Sequence, residues 1–167
     1  MESIPCFSCG GAYPDVDGPT HRYMKSSPGC WSIYGGILAR EYRDPLYWGV
    51  HRLTVDTYAI QHPGGGDRQS IQSVGLHLVR LCLFLEHGLE ETHANAGMKT
   101  AAKHKHTFTW LAPPDSVGTI TAADVARAKS TAEHQEVVHA WATQAYRAWS
   151  PHHDTIRSWL PYPNLTS

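Results

Sequence analysis

Three of the four cysteines fall within the first thirty residues, two of them in the pattern Cys6-Phe7-Ser8-Cys9-Gly10-Gly11 and the third at Cys30. The segment that carries them, residues 1–29, has Gly, Pro, Asp and Ser at loop density and no helical or alternating apolar period. It reads as an irregular lobe that needs an anchor other than regular packing. Cysteines two residues apart, with glycines behind them to let the backbone turn tightly, bring both thiolates to one tetrahedral ion. Cys30 adds a third thiolate, and thiolate-rich ligation selects zinc or an iron–sulfur cluster. Cys82 sits in the middle of an apolar run and reads as a small core residue.

From Cys30 onward the period becomes helical. Trp31, Ile33, Tyr34, Ile37, Leu38 and Tyr42 recur at mostly three- and four-residue spacings, which predicts a first helix. Asp44-Pro45 then reads as an N-cap followed by a first-turn proline, opening a helix to about Gln61 that the run His62-Pro63-Gly64-Gly65-Gly66 must stop. Ile71, Val74, Leu78, Leu81, Cys82 and Leu85 form one stripe, and Leu76, Val79, Leu83 and Phe84 fill much of the rest, so the third helix is expected to be central.

A weaker helix is expected within 89–104. A short one opens at the capping box Thr121 to Asp124, and a longer one near Thr131 follows Ser130 and Glu133. Ser150-Pro151 divides or kinks the last helical stretch. No strand-like alternation persists for more than a few residues. The expectation is an all-α helical bundle, residues 30–160, carrying the zinc-knuckle-like lobe 1–29 in a single domain.

Zinc requires a fourth ligand, and helix geometry ranks the histidines. If the first two helices form an antiparallel hairpin, Cys30 at the start of one lies beside His62 at the end of the other. His51 is about 16 Å from His62 along the axis, too far to share its ion. The expected ligands are therefore Cys6, Cys9, Cys30 and His62, with His21 in the same loop as the second choice and Zn2+ as the cofactor.

Two other chemistries for the cysteine pair fail on context. A thioredoxin-type Cys-x-x-Cys needs a strand before it and a helix after it, which the surrounding glycines and prolines deny. Pro5-Cys6-Phe7-Ser8-Cys9 resembles half of the nucleoside deaminase signature. The other half is missing, because no His-x-Glu or Cys-x-Glu lies upstream and the one His-x-Glu, His134-Gln135-Glu136, comes late.

The second helix is unusually polar for a position between two others. His51, Val55, Tyr58 and His62 share one face, and Arg52, Asp56 and Ala59 the next. Continuing the antiparallel turn brings His77 of the third helix level with Asp56. The expectation is an Asp56–His77 hydrogen bond with His51 and Tyr58 nearby, an oriented imidazole beside a phenol able to act as general base or to bind a second metal. The pairs Glu90–His93 and Glu136–His139 have the Glu-x-x-His spacing of di-iron bundles, but their partner carboxylates would have to be Glu41 and Glu86, neither of which reads as central. His104 and His106 read as solvated surface, and His87 as a helix-end residue.

Composition narrows the partners. A net charge of −1 argues against nonspecific nucleic-acid or anionic-membrane binding, and a helix-turn-helix in the stretch from Thr119 to Ser130 lacks both the basic charge and the turn glycine. No apolar run reaches the length of a membrane span, and the N-terminus has no signal-peptide pattern. A cytoplasmic protein is expected, in which the sequon at Asn164 is irrelevant. Twelve histidines in 167 residues raise the expectation of a site that binds or turns over a small molecule.

Cys-x-x-Cys-Gly at 6–10, DGPTHRYM at 17–24, SPGCW at 27–31, HRLTVDTYAIQHPG at 51–64, SIQSVGLHL at 70–78 and AWSPHH at 148–153 together resemble an uncharacterised bacterial family catalogued as a domain of unknown function. The resemblance spans nearly the whole chain. It implies a complete bacterial protein and supplies no activity or cofactor, so function has to be argued from the site. The expected function is a zinc-dependent hydrolase of a small ester or phosphoester, with His51, Asp56, Tyr58 and His77 handling protons. The alternative is a non-catalytic binding or regulatory protein whose Cys3His zinc is purely structural.

Overall fold

The structure, a computed structural model, describes residues 2–161; the Asn164 sequon lies outside them. The N-terminal lobe opens with a hairpin of β1 (Ser3–Pro5) and β2 (Ala12–Pro14), antiparallel with Ile4 opposite Tyr13. The lobe is thus less irregular than its composition suggests, because three-residue strands are too short to display an alternating period. Between the strands Gly10 takes φ +72° and its N–H donates to the carbonyl of Cys6 at 2.8 Å. That left-handed conformation is open to glycine at little cost and folds the Cys-x-x-Cys segment back on itself.

The rest of the chain is helical, as expected. Helix α1 (Pro28–Arg43) starts two residues before the predicted point, with Ser27 as N-cap accepting from the Cys30 N–H and Pro28 in the first turn. A 3-10 turn over Pro45–Tyr47, capped by Asp44, leads into α2 (Trp48–Gln61). Asp67 caps α3 (Arg68–Leu85). Helices α4 (Glu91–Ala102), α5 (Ala122–Arg127) and α6 (Thr131–Ala148) follow. The Thr121–Asp124 capping box is present at α5, and Ser130 caps α6. Ser150-Pro151 breaks the final stretch into a 3-10 turn and α7 (His153–Ser158). No described helix is long and apolar enough to cross a membrane.

Helix α2 packs against α3 and α6, α3 also against α4, and α1 against α5 and β2. The larger apolar core takes Tyr34 and Ile37 from α1, Leu53 and Ile60 from α2, Leu78 and Leu81 from α3, and Val138, Trp141 and Ala145 from α6. A smaller core lies between α3 and α4 and holds Val79, Leu83, Ala94, Ala101 and Phe108. The two cores explain why α3 is apolar nearly all round. Helix α2 shares the interior with it, and buries Thr54, Asp56, Thr57 and Gln61 there. Those buried polar groups must find partners, and where they find them defines the sites below.

Candidate metal centre and the polar networks beside it

Cys6, Cys9, Cys30 and His62 converge. All four are buried, and their ligand atoms lie within 4.8 Å of one another. Three sequence-distant pieces deliver them: the hairpin turn, the first turn of α1 and the residue that ends α2. Cys30 Sγ lies 3.3 Å from His62 Nε2, the juxtaposition expected of an antiparallel α1–α2 hairpin. His21, the second choice for fourth ligand, is not in the group; its Nδ1 accepts the Tyr23 N–H at 3.0 Å.

The donor set fits a metal. A tetrahedral zinc with ligands at about 2.0–2.3 Å needs donor atoms under about 4 Å apart, close to the spacing found. His62 Nδ1 donates to the Tyr58 carbonyl at 2.8 Å, which leaves the Nε2 lone pair facing the sulfurs. Each thiolate has its own donor within reach: the Ser27 N–H at 3.4 Å from Cys6, the Tyr13 hydroxyl at 3.6 Å from Cys9 and the Tyr58 hydroxyl at 3.4 Å from Cys30. These donors offset the charge of three thiolates in a buried site.

The protonation preferences of the four groups show the same strain. Hydrogen bonds with Cys30 and Cys9 hold the Cys6 thiol far below its usual range, while the same contacts push Cys30 far above it. Three sulfurs this close cannot all ionise without a cation among them. Burial opposes charge on His62, but hydrogen bonds with the Cys6 and Cys9 sulfurs outweigh it and carry its pKa up to about 9. Tyr58 is pushed well above the phenol range by burial and by Cys30, so it stays a neutral donor.

The lobe is fastened around this group. Lys25 N–H donates to the His62 carbonyl at 3.0 Å, and Met24 forms a bridge with Pro63. A Cβ on Gly29 would lie 2.1 Å from the Pro14 carbonyl oxygen, so only glycine lets α1 seat its first turn against β2.

The four residues expected to share one reacting cleft are divided by the structure. Asp56 and His77 do meet, with His77 Nδ1 donating to Asp56 Oδ1 at 2.7 Å; Arg80 Nε donates to the other carboxylate oxygen at 2.5 Å. Tyr58 belongs instead to the metal centre, stacked on His62 at a ring separation of 3.9 Å. His51 belongs to a third network, where its Nδ1 donates to Glu41 Oε2 at 2.8 Å. Sharing a helical face did not bring these side chains together, because neighbours along α2 change from α1 and α6 at one end to the lobe at the other.

Glu41 corrects the expectation that it is peripheral: it is 0% exposed. His51, Thr54 Oγ1 at 2.6 Å and His134 Nε2 at 2.8 Å all donate to its carboxylate. The Glu-x-x-His pairs form no di-iron centre with it, since Glu90, His93, Glu136 and His139 are all exposed. Glu86 is held at the surface by Arg157 and the Tyr146 hydroxyl. His104 and His106 are exposed as expected. Glu41 and Arg80 were missed as site members. The available signal was a charged residue set within an apolar run, Glu41 among Ile37, Leu38 and Tyr42 and Arg80 between Val79 and Leu81, which by itself does not distinguish a buried partner from a surface charge.

The fold and site define a class, a helical bundle whose N-terminal hairpin and first two helices present a closed Cys3His group able to hold a metal ion. The chain belongs to DUF5946, a family of unknown function, whose model matches residues 4–150. No curated protein and no solved structure gives a significant match.

Proposed function

We propose that Cys6, Cys9, Cys30 and His62 bind zinc and that the ion is structural, clamping the hairpin and the loop 15–27 onto α1 and α2. The observation that carries this reading is that four buried protein donors lie within 4.8 Å of one another, the full ligand number of a tetrahedral ion. A zinc ion so enclosed keeps no position for substrate or water, which is the mark of a structural centre. Bound zinc would supply the attraction that lets three thiolates approach, and its binding free energy would become folding free energy for the lobe. Elemental analysis of protein purified without chelators is expected to give one equivalent of zinc, and chelation to melt the lobe. Less than about half an equivalent of any metal would rule the centre out.

A second reading is favoured by the contact between Asp56 and His77. Bound through Nδ1 to a carboxylate, His77 is held as an oriented imidazole on a side chain that is 23% exposed. It can serve as general base in hydrolysis of a small ester or phosphoester, with zinc supporting the fold and not the reaction. His51 and Tyr58, expected beside it, have their hydrogen bonds committed to Glu41 and to the metal centre. Release of p-nitrophenol from acetate and phosphate esters, in wild type and in His77→Gln, tests this reading apart from metal content.

A further inference from the structure

The C-terminal end of α3 gathers a second set of metal-binding side chains, separate from the Cys3His group. Cys82 and Glu86 are four residues apart and so stand on one face of the helix, with His87 one position further. Gly88 takes φ +60° and the Leu89 N–H donates to the Leu83 carbonyl at 3.1 Å, so the helix closes directly behind His87. The Cys82 sulfur, a Glu86 carboxylate oxygen and an imidazole nitrogen of His87 lie within 4.8 Å of one another. Cys82 is buried, His87 half-buried and Glu86 at the surface, which gives an ion a way in.

Three features of this corner suit a cation. A carboxylate has about four lone-pair sites. Arg157 takes two on Glu86, from Nε to Oε2 at 2.8 Å and from Nη2 to Oε1 at 3.2 Å, and the Tyr146 hydroxyl takes a third at 2.8 Å. The carboxylate is thereby held in one orientation with a site to spare, as ligating carboxylates commonly are. His87 Nε2 is buried without a hydrogen-bond partner among the described residues, a costly state for a polar atom. The last carbonyls of α3 put the negative end of the helix dipole here, which favours positive charge.

We propose that Cys82, Glu86 and His87 form a second metal site, three protein ligands for a labile Zn2+ with the fourth position left to water. Thiolate, imidazole and carboxylate are the donor types of zinc, and the sulfur disfavours Mg2+ and Ca2+. His153 is the next donor, with Nδ1 3.5 Å from Glu86 Oε1, but it lies outside the group whose ligand atoms all approach within 4.8 Å. Three ligands and an open position are the layout of a catalytic ion, whereas the Cys3His group is closed. On binding, the Cys82 sulfur bonds to zinc and its proton passes to solvent. Burial pushes that thiol up to about 11, and Arg157 already balances the charge of Glu86, so this ion is held more weakly than one among three clustered thiolates. The purified chain keeps one equivalent and takes up a second when metal is supplied.

The test titrates the zinc-loaded full chain with Co2+, which takes zinc's ligands and reports a bound thiolate through a sulfur-to-cobalt charge-transfer band. One further equivalent and that band are expected. Cys82→Ser should abolish the band and keep the first equivalent of zinc. His87→Gln, at a half-buried position with little effect on folding, should weaken cobalt binding by more than the roughly 10–100-fold typical of losing an outer partner of a ligand. His104→Gln/His106→Gln should bind as wild type does, which controls for surface imidazole. No further equivalent, or a band that survives Cys82→Ser, would overturn the site. Full affinity in His87→Gln would overturn its three-ligand form. Zinc counted by elemental analysis before cobalt is added reports on the Cys3His group separately, so the two sites stand or fall apart.

Discussion

Cys30 Sγ and His62 Nε2 lie 3.3 Å apart although 32 residues separate them in sequence. One opens α1 and the other closes α2, so their approach depends on the helices running antiparallel from a shared corner at Asp44. The metal centre is thereby a lock on the α1–α2 hairpin as much as on the lobe.

Cys30→Ser is expected to reduce bound zinc from one equivalent to under about a tenth and to lower Tm, because loss of a thiolate removes binding energy that is also folding energy. His62→Cys should retain one equivalent, since a fourth thiolate completes the same tetrahedron. Elemental analysis and thermal melts check both, and full zinc content in Cys30→Ser would place the ion elsewhere.

Gly29→Ala is expected to weaken zinc binding while leaving helical circular dichroism nearly unchanged. The added methyl meets the Pro14 carbonyl at 2.1 Å, so the hairpin must shift away from α1. Overpacking of this kind costs about 1–3 kcal/mol, measurable as a fall in zinc affinity by competition with a chromogenic chelator.

Glu41→Gln is expected to destabilise the protein by about 3 kcal/mol, the range for breaking a buried charged network by altering one member. The amide cannot accept from His51, Thr54 and His134 together as the carboxylate does. Urea denaturation checks this, and a change under about 0.5 kcal/mol would show that the network carries little of the fold.

Acid sensitivity should trace in part to Glu86. Burial raises its pKa, but hydrogen bonds from Arg157 and Tyr146 outweigh that and hold it below the usual 4.5. A carboxyl depressed in the folded state contributes stability that is present above its unfolded pKa and is lost as pH falls through the folded one. Glu86→Gln should therefore be less stable than wild type at pH 7, with the difference shrinking below about pH 4.5. Urea midpoints at pH 3 and pH 7 compare them, and a constant difference would remove Glu86 from the acid transition.

Much of this architecture was legible along the chain because its signals are local. Helix periods, the caps at Asp44, Thr121 and Ser130, and the stop at His62-Pro63 each depend on residues within a few positions, and all appear in the structure. Ser27-Pro28 carries the same cap-then-proline signature as Asp44-Pro45 and marks the true start of α1. The hairpin left no trace because three residues are too few to alternate.

The residues that meet across elements divide differently. Spacing selected the three cysteines, and the hairpin argument selected His62, because Cys30 and His62 are each fixed to a helix end whose position a simple turn defines. The same reasoning brought Asp56 to His77. It failed for His51 and Tyr58, since a helical wheel says which side chains share a face but not which neighbour covers each level of it. The sequence by itself determined the helices, their ends and the thiolates available to a metal, all consequences of short-range geometry. Only the tertiary structure decided that Glu41 lies buried between two histidines, that Tyr58 serves a sulfur and that Arg80 shares the carboxylate of Asp56, because a buried charge takes the partner that packing places beside it.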